Sequence, residues 1–444
     1  MVQWLRNIDI KTVAYVDDFI GLDRHSLICN SRDVILQTLQ RLGYFINFKK
    51  SSLIPSCEKK FIGYIINTTR VKDKILLSVP KSRITVLKHD IRRALKKGKI
   101  SARALAKIAG QCISMSKAVL PSKLLLRNIY RLLATRTSWQ DILCLDNSTV
   151  KDLNWWLEAV SSWNGRAFQT KSQQVVQITT DASGLGFGGT IVGTNLEAQG
   201  SWDANMSSMS SNYREITAVL LTLKSFIPVL KGKTVTVFSD NITTVANINF
   251  MGSSHRDLSE VASKIWSLAI RNSIEIQAKF LPGKSNVHAD FLSRLPQKYE
   301  WILHPHIFAY LDRLYGPHTI DRFASMTTSH LPTYNSRYLD PYTFGINALE
   351  QRDWDIHNNF VNPPFRLIEQ TLNVICRFQA KATVIAPWWP AMTWFQTLRK
   401  LAVALPIRLP RPKHICFPVL TETPEPLRNP RWELYAWRID GARF

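Results

Sequence analysis

Four acidic residues between Thr179 and Asp290 constrain this chain more than anything else in it. Thr180-Asp181-Ala182-Ser183-Gly184 closes the β-like run Val175-Val176-Gln177-Ile178-Thr179 and opens a glycine-rich hairpin with Gly186, Gly188 and Gly189. An apolar-periodic helix starts near Ser211, with Glu215 in its first turn. A second strand, Thr234-Val235-Thr236-Val237-Phe238, ends in Ser239-Asp240-Asn241, and a last helix from about Asn286 to Leu295 carries Asp290. In a βββαβαβα-like order, acids at strand ends and early helical turns can converge on one face of a sheet. Carboxylates so gathered repel and shift each other's pKa, and the usual reason to gather them is a divalent metal. Any one of these acids alone reads equally as a solvated turn residue or a helix cap.

The pieces T-D-A-S-G, Y-R-E-I-T-A, F-S-D-N and N-V-H-A-D-F-L-S-R resemble, in this order, the ribonuclease H domain of retroelement reverse transcriptases, the last being close to the gypsy-like class. The resemblance covers roughly a quarter of the chain. It implies a ribonuclease H fold, a mixed sheet with helices, over residues 175–296. It also implies metal-assisted hydrolysis of RNA paired to DNA, with Asp181, Glu215, Asp240 and Asp290 as catalytic and metal-holding residues. Asp181 would bridge two ions, Glu215 and Asp240 would each hold one, and Asp290 would ligate or stand just behind. Oxygen ligands and a phosphate substrate favour Mg2+. His288 lies two residues from Asp290, which on a helix is a different face, so it reads as a cap or surface histidine. Leu258 to Asn272, with Val261, Ile265, Trp266 and Leu268, reads as a core helix.

The chain has 444 residues, enough for two to four domains with real cores. Lys and Arg number 57 against 33 Asp and Glu, a formal net charge of +24. Such an excess suits a polyanion, and the expected partners are an RNA–DNA hybrid and DNA. A membrane surface would answer the charge too, but no apolar run is long enough to span a bilayer and the start has no signal-peptide core. Six cysteines are scattered without a C-x-x-C pair, as expected of reduced thiols in an intracellular protein of the cytoplasm or nucleus. Nothing here bears on oligomeric state.

Thr12 to Ile20 reads as a β-hairpin with Asp17 and Asp18 at its tip. An amphipathic helix, Ser31 to Leu42, leads to Gly43-Tyr44-Phe45-Ile46-Asn47-Phe48-Lys49-Lys50-Ser51 and then to Phe61-Ile62-Gly63-Tyr64-Ile65-Ile66. This succession resembles the late palm of a reverse transcriptase, over residues 1–79: Y-V-D-D as the catalytic hairpin, a lysine-bearing segment with Lys50, and a primer-gripping strand. The resemblance makes Asp17 and Asp18 metal-binding carboxylates. The family's further catalytic Asp, on an earlier palm strand, has no counterpart here, so the expectation is a fragment of a polyprotein, or a truncated gene copy, without polymerase activity. Residues 80–140 read as very basic helices, which the same resemblance implies are a thumb and which would otherwise be a solvated basic face on a helical bundle. Pro80 opens a helix to Lys97 with Arg92, Arg93, Lys96 and Lys97 as nucleic-acid contacts, Gly98 stops it, and Ser101 caps a second helix from Ala102 to about Val119. Residues 141–174, with Trp155, Trp156 and Trp163, read as a connection whose tryptophans are core or interdomain packing more readily than base-stacking platforms.

Beyond Pro296 the composition changes. Ile320-Asp321-Arg322-Phe323-Ala324-Ser325, Ala348 to Trp354, and Phe360-Val361-Asn362-Pro363-Pro364-Phe365 are followed by an amphipathic helix and the buried-strand pattern Ala382 to Pro387, an α/β unit. N-P-P-F resembles the catalytic loop of amino-directed adenine methyltransferases, and the flanking pieces resemble their phage-type branch. On that resemblance residues 297–404 form an α/β methyltransferase-like domain. Asn362, Pro363 and Pro364 would orient an adenine amino group, Phe365 would stack on a flipped base, and Asp321 would lie near an S-adenosylmethionine pocket. No glycine-rich loop of the kind that cradles a nucleoside cofactor is present. Residues 405–444, rich in Pro and Arg, read as an irregular tail. The order of these regions resembles the polyprotein of DIRS-type retrotransposons, which integrate into DNA with a tyrosine recombinase not contained here. Two other readings stay open: a non-catalytic nucleic-acid-binding relic, and an adenine DNA methyltransferase carrying idle upstream domains.

Overall fold

A computed structural model describes residues 1–71, 74–169, 175–295, 301–418 and 432–443. The chain divides into two compact units, Met1–Gln173 and Gln174–Phe444. In the first, Lys11–Tyr15 and Asp18–Leu22 pair antiparallel around the two-residue turn Val16-Asp17, with Val16 at a φ of 55°. Asp17 and Asp18 are exposed, and these two strands form a sheet of their own. A four-stranded antiparallel sheet follows, built from Glu58–Phe61, Tyr64–Val71, Lys74–Ser78 and Arg166–Gln169. Arg83 Nη1 donates to the carbonyl of Gly63 at the tip of its first hairpin, 2.8 Å away.

Helix Lys81–Lys97 buries Ile84, Leu87, Ile91 and Ala94, leaves Arg92, Arg93, Lys96 and Lys97 exposed on its other side, and ends on Gly98 at a φ of 63°. Only a residue without Cβ takes that left-handed closing turn cheaply. The next helix runs Ala102–Ile113 and stops short of the expected Val119. Ser114 supplies a reason: its hydroxyl donates 2.6 Å to the Gln111 carbonyl and competes with the helix for that acceptor. Trp156 is fully buried, its indole N–H donating to Leu125 O at 3.1 Å, with Trp155 edge-on at 5.6 Å. These tryptophans belong to the core of the basic helices, and Lys99–Ser101 pairs with Ile142–Cys144. The segments on either side of residue 140 therefore share one core.

The second unit opens with a five-stranded sheet: β1 Val175–Ala182, β2 Gly186–Ile191, β3 Glu197–Ser201, β4 Thr234–Ser239 and β5 Glu275–Phe280, in the order β3-β2-β1-β4-β5. β2 is antiparallel to both neighbours, and β4 is parallel to β1 and β5. Its longer helices are α1 Ser211–Ser225, α2 Ile242–Asn249, α3 Arg256–Arg271 and α4 Val287–Arg294. Ser210 caps α1 through the Tyr213 N–H (3.3 Å), and Asn241 caps α2 through the Thr244 N–H (2.8 Å). Two adjacent glycines in β2 let helices approach both faces, because successive strand residues point to opposite sides. A Cβ on Gly188 would lie 2.5 Å from Ala289 O and 2.7 Å from Ser293 N of α4, and one on Gly189 would collide with the Thr222 side chain of α1.

A second five-stranded sheet follows: β6 Ile320–Asp321, β7 Asn358–Val361, β8 Lys381–Pro387, β9 Ile407–Arg408 and β10 Leu434–Asp440, in the order β6-β7-β8-β10-β9. β6, β7 and β8 are parallel, and helix Ile368–Arg377 crosses from β7 to β8, as the α/β pattern predicts. The expected irregular tail from residue 405 is corrected. β10 pairs along all of β8, from Lys381↔Asp440 to Pro387↔Leu434, and buries Leu434, Ala436, Trp437 and Ile439. A strand buried on both faces lacks the alternation that marks a half-exposed one. Residues 419–431 of that tail lie outside the described residues. The fully buried Arg322 ties this part together: Nε meets Asn359 Oδ1 (2.7 Å), Nη1 meets Asn335 Oδ1 (2.9 Å) and Asp353 Oδ1 (2.8 Å), and the guanidinium lies 4.5 Å over the Trp354 ring.

Candidate metal centre

Asp181 is the penultimate residue of β1 and Asp240 follows the last residue of the parallel neighbour β4, so two adjacent strand ends present carboxylates at one edge. Glu215 is the fifth residue of α1, one past the first turn in which the sequence places it. One carboxylate oxygen from each of Asp181, Glu215 and Asp240 lies within 4.8 Å of the others. Asp181 and Glu215 are buried and Asp240 is half-buried. Among the described residues this is the one such group of metal-ligating side chains.

The electrostatics of the trio are those of a site short of positive charge. Burial pushes the Glu215 carboxyl up to about 8, and the charges of Asp181 and Asp240 push the same way. The Ala182 N–H works against them. Burial also raises Asp181, opposed by a hydrogen bond from Ser293 and reinforced by Asp240 and Asp290. Glu215 Oε2 is buried with no hydrogen-bond partner. A buried carboxylate oxygen left unpaired is costly. Three converging carboxylates with an unfilled acceptor suit a hard divalent cation, which takes oxygen ligands and removes the like-charge repulsion. The residues present therefore fit a magnesium-type ion.

Asp290 stands in the first turn of α4 but outside that trio. Its carboxylate meets Arg294 Nε at 2.7 Å, and its charge is felt at Asp181. His288 is exposed and pairs with Glu197 at 2.8 Å, which agrees with a surface role. Three further residues escape sequence reasoning. Ser293 Oγ lies 2.7 Å from Asp181 Oδ2, Arg294 holds Asp290, and buried Asn286 donates to Thr180 O at 2.9 Å. A signal exists for the first: Ser293 follows Asp290 by three positions on a helix, the spacing that shares a face.

The remaining sequence-singled residues lie elsewhere. Asp17 and Asp18 are exposed on their hairpin, and Lys50, Arg92, Arg93, Lys96 and Lys97 are all exposed. In the last sheet Asp321 ends β6 and Asn362 follows β7, its parallel neighbour. Asp321 is buried and pushed up to about 7 by that burial, against hydrogen bonds from the His330 and Phe323 N–H groups. Asp321 Oδ1 and Asn362 Oδ1 are both buried without partners. Pro363 is buried and Pro364 exposed, and the half-buried Phe365 ring sits edge-on to Trp389 (5.3 Å) and Trp432 (5.6 Å). No helix among the described residues is long and apolar enough to cross a membrane.

Comparison with protein-family models finds no match, and no curated protein matches. Among solved structures the chain is similar to a foamy viral protease–reverse transcriptase in complex with double-stranded DNA, at 16% identity and a TM-score of 0.32, over 63% of this chain and 47% of that one. It thus spans about half the length of that relative. It is also similar to ribonuclease H1 from the halophilic archaeon Halobacterium salinarum, at 14% identity and a TM-score of 0.24, over 28% of this chain and 97% of that one. A ribonuclease H1 isolated from compost by a metagenomic approach matches at 21% identity and a TM-score of 0.22, over 27% and 90% of the two chains.

Proposed function

We propose that this chain is a retroelement-type ribonuclease H that hydrolyses the RNA strand of an RNA–DNA hybrid. The observation that carries the reading is the convergence of Asp181, Glu215 and Asp240 within 4.8 Å, two of them buried, on the ends of adjacent strands and a helix. Asp181, Glu215 and Asp240 would hold magnesium, with Asp290 close by, and bound magnesium supplies an activated water and a counter-charge for the leaving oxygen. The chain's own part is to fix those carboxylates. β1 and β4 set the spacing of Asp181 and Asp240, and α1 brings Glu215 in from the sheet's face. Exposed Arg92, Arg93, Lys96, Lys97 and Lys50, with the net charge of +24, suit a phosphate backbone. On this reading the protein acts inside the cell, in cytoplasm or nucleus, on hybrid and DNA. The order of regions read from the sequence resembles that of a DIRS-type element, which integrates into DNA. The reading does not draw on Asp17 and Asp18, which are exposed on a two-stranded hairpin.

Asp240→Asn keeps the shape of the ligand and removes its charge. It is expected to lower magnesium-dependent cleavage of a labelled RNA strand in a hybrid by about 10³-fold, equivalent to about 4 kcal/mol of lost transition-state stabilisation. Equal cleavage by the variant would put the chemistry elsewhere. Hybrid binding without any cleavage by the wild-type chain would favour a nucleic-acid-binding relic.

One observation favours a second reading for the last sheet. The unpartnered oxygens of Asp321 and Asn362 stand at the carboxyl ends of adjacent parallel strands, where α/β sheets bind ligands. An adenine amino group would satisfy the Asn362 acceptor, and Asp321 would lie near an S-adenosylmethionine pocket, as in an adenine methyltransferase with its N-P-P-F loop. Calorimetry with S-adenosylmethionine decides it.

A further inference from the structure

The buried link between β1 and α4 is not explained by metal ligation alone. Ser293 is fully buried and Asp181 nearly so. Ser293 Oγ lies 2.7 Å from Asp181 Oδ2 and 2.9 Å from the Asp290 carbonyl. A hydroxyl has one hydrogen, and the nearer, charged acceptor takes it more strongly. The ordinary alternative, a helical serine bonding only back to its own preceding turn, leaves the shorter contact unexplained. The link is also returned: Ser183 Oγ donates to Ser293 O at 2.6 Å while accepting from the Leu185 and Gly186 N–H groups. The turn after Asp181 and the last turn of α4 are thus joined in both directions. They can meet only because Gly188, paired directly with Asp181 in the sheet, has no Cβ to hold α4 away.

We propose that Ser293 is a positioning residue for the metal centre: by holding Asp181 Oδ2 it fixes the carboxylate's rotation and leaves the other oxygen for the ion. The inference rests on the metal-binding reading of the trio but not on which nucleic acid is cut. A partner behind a ligating group typically affects metal affinity by about 10- to 100-fold.

The test uses the full chain and Mn2+ alone, titrated calorimetrically without nucleic acid, with thermal unfolding in EDTA as the folding control. Ser293→Ala is expected to weaken Mn2+ binding by about tenfold or more, and Ser293→Thr, which keeps the hydroxyl, to stay within about twofold of wild type. Wild-type affinity in a folded Ser293→Ala chain overturns the proposal. So does a Ser293→Thr chain that folds yet loses affinity as Ser293→Ala does, since the hydroxyl would then not be what matters. Absence of Mn2+ binding by the wild-type chain removes both the proposal and the metal centre. If the wild-type chain binds Mn2+ and Ser293→Ala weakens it, but no hybrid is cleaved, the positioning role stands and the ribonuclease reading falls.

Discussion

Glu215→Gln is expected to make the metal-free protein more stable at pH 8 while sharply lowering its metal-dependent activity. The Glu215 carboxyl is pushed up to about 8 in the fold, from an ordinary 4.5, by burial first and by Asp181 and Asp240 second. Between those two values the folded chain keeps a proton that the unfolded chain has released, so stability falls as pH rises from about 4.5 to about 8 and levels off beyond. At about 1.4 kcal/mol per pH unit the loss is on the order of 4–5 kcal/mol at most. A glutamine in that place cannot ionise, so the variant should lose most of this slope. In EDTA its thermal midpoint should exceed the wild type's at pH 8 and match it near the ordinary carboxyl value of 4.5. Divalent metal should reverse the order, stabilising the wild-type chain and leaving the variant unmoved, and magnesium-dependent cleavage should fall by about 10³-fold. A wild-type chain whose metal-free stability is flat over this pH range would mean that Glu215 is not held in the environment described.

Gly188→Ala is the second large effect. The added methyl would lie 2.5 Å from a backbone carbonyl oxygen and 2.7 Å from a backbone nitrogen of α4. Neither atom can rotate away as a side-chain tip would, so the helix must shift. Overpacking of this kind costs about 3 kcal/mol, and moving α4 by about an ångström carries Asp290 and Ser293 off the site, worth about 10² in rate. Urea unfolding and hybrid cleavage measure the two halves. Near-wild-type values in both would show that α4 does not need its close seat on β2.

Much of this site is legible in the sequence because its acids fall at positions fixed by local rules. A strand followed by Asp-Ala-Ser-Gly, an apolar-periodic helix starting near Ser211, and Ser-Asp-Asn at the end of β4 place Asp181, Glu215 and Asp240 without knowledge of the tertiary fold. What these rules cannot supply is contact across the chain. The Ser293 hydroxyl reaches Asp181 over 112 positions, and no periodicity encodes such a pair. β10 escapes for the same reason: its partner β8 lies far upstream, and the Pro- and Arg-rich stretch before it resembles a tail. The helix after Ser101 reads too long because Ser114 competes for a helical carbonyl, a local effect that an apolar stripe does not reveal. Trp155, Trp156 and Trp163 show the converse, since bulky aromatic side chains alone are a sound guide to a core.

The most direct test of the account is the chemistry of the cut ends. The chain, incubated with magnesium and a hybrid whose RNA strand is labelled, should yield RNA fragments with 3′-hydroxyl and 5′-phosphate ends, because the attacking oxygen comes from water held at the carboxylates. An RNA duplex and a DNA duplex should remain intact, and EDTA should stop the reaction. Cyclic phosphate ends, cutting that survives EDTA, or no cutting by a folded, magnesium-loaded chain would contradict metal-assisted hydrolysis at Asp181, Glu215 and Asp240.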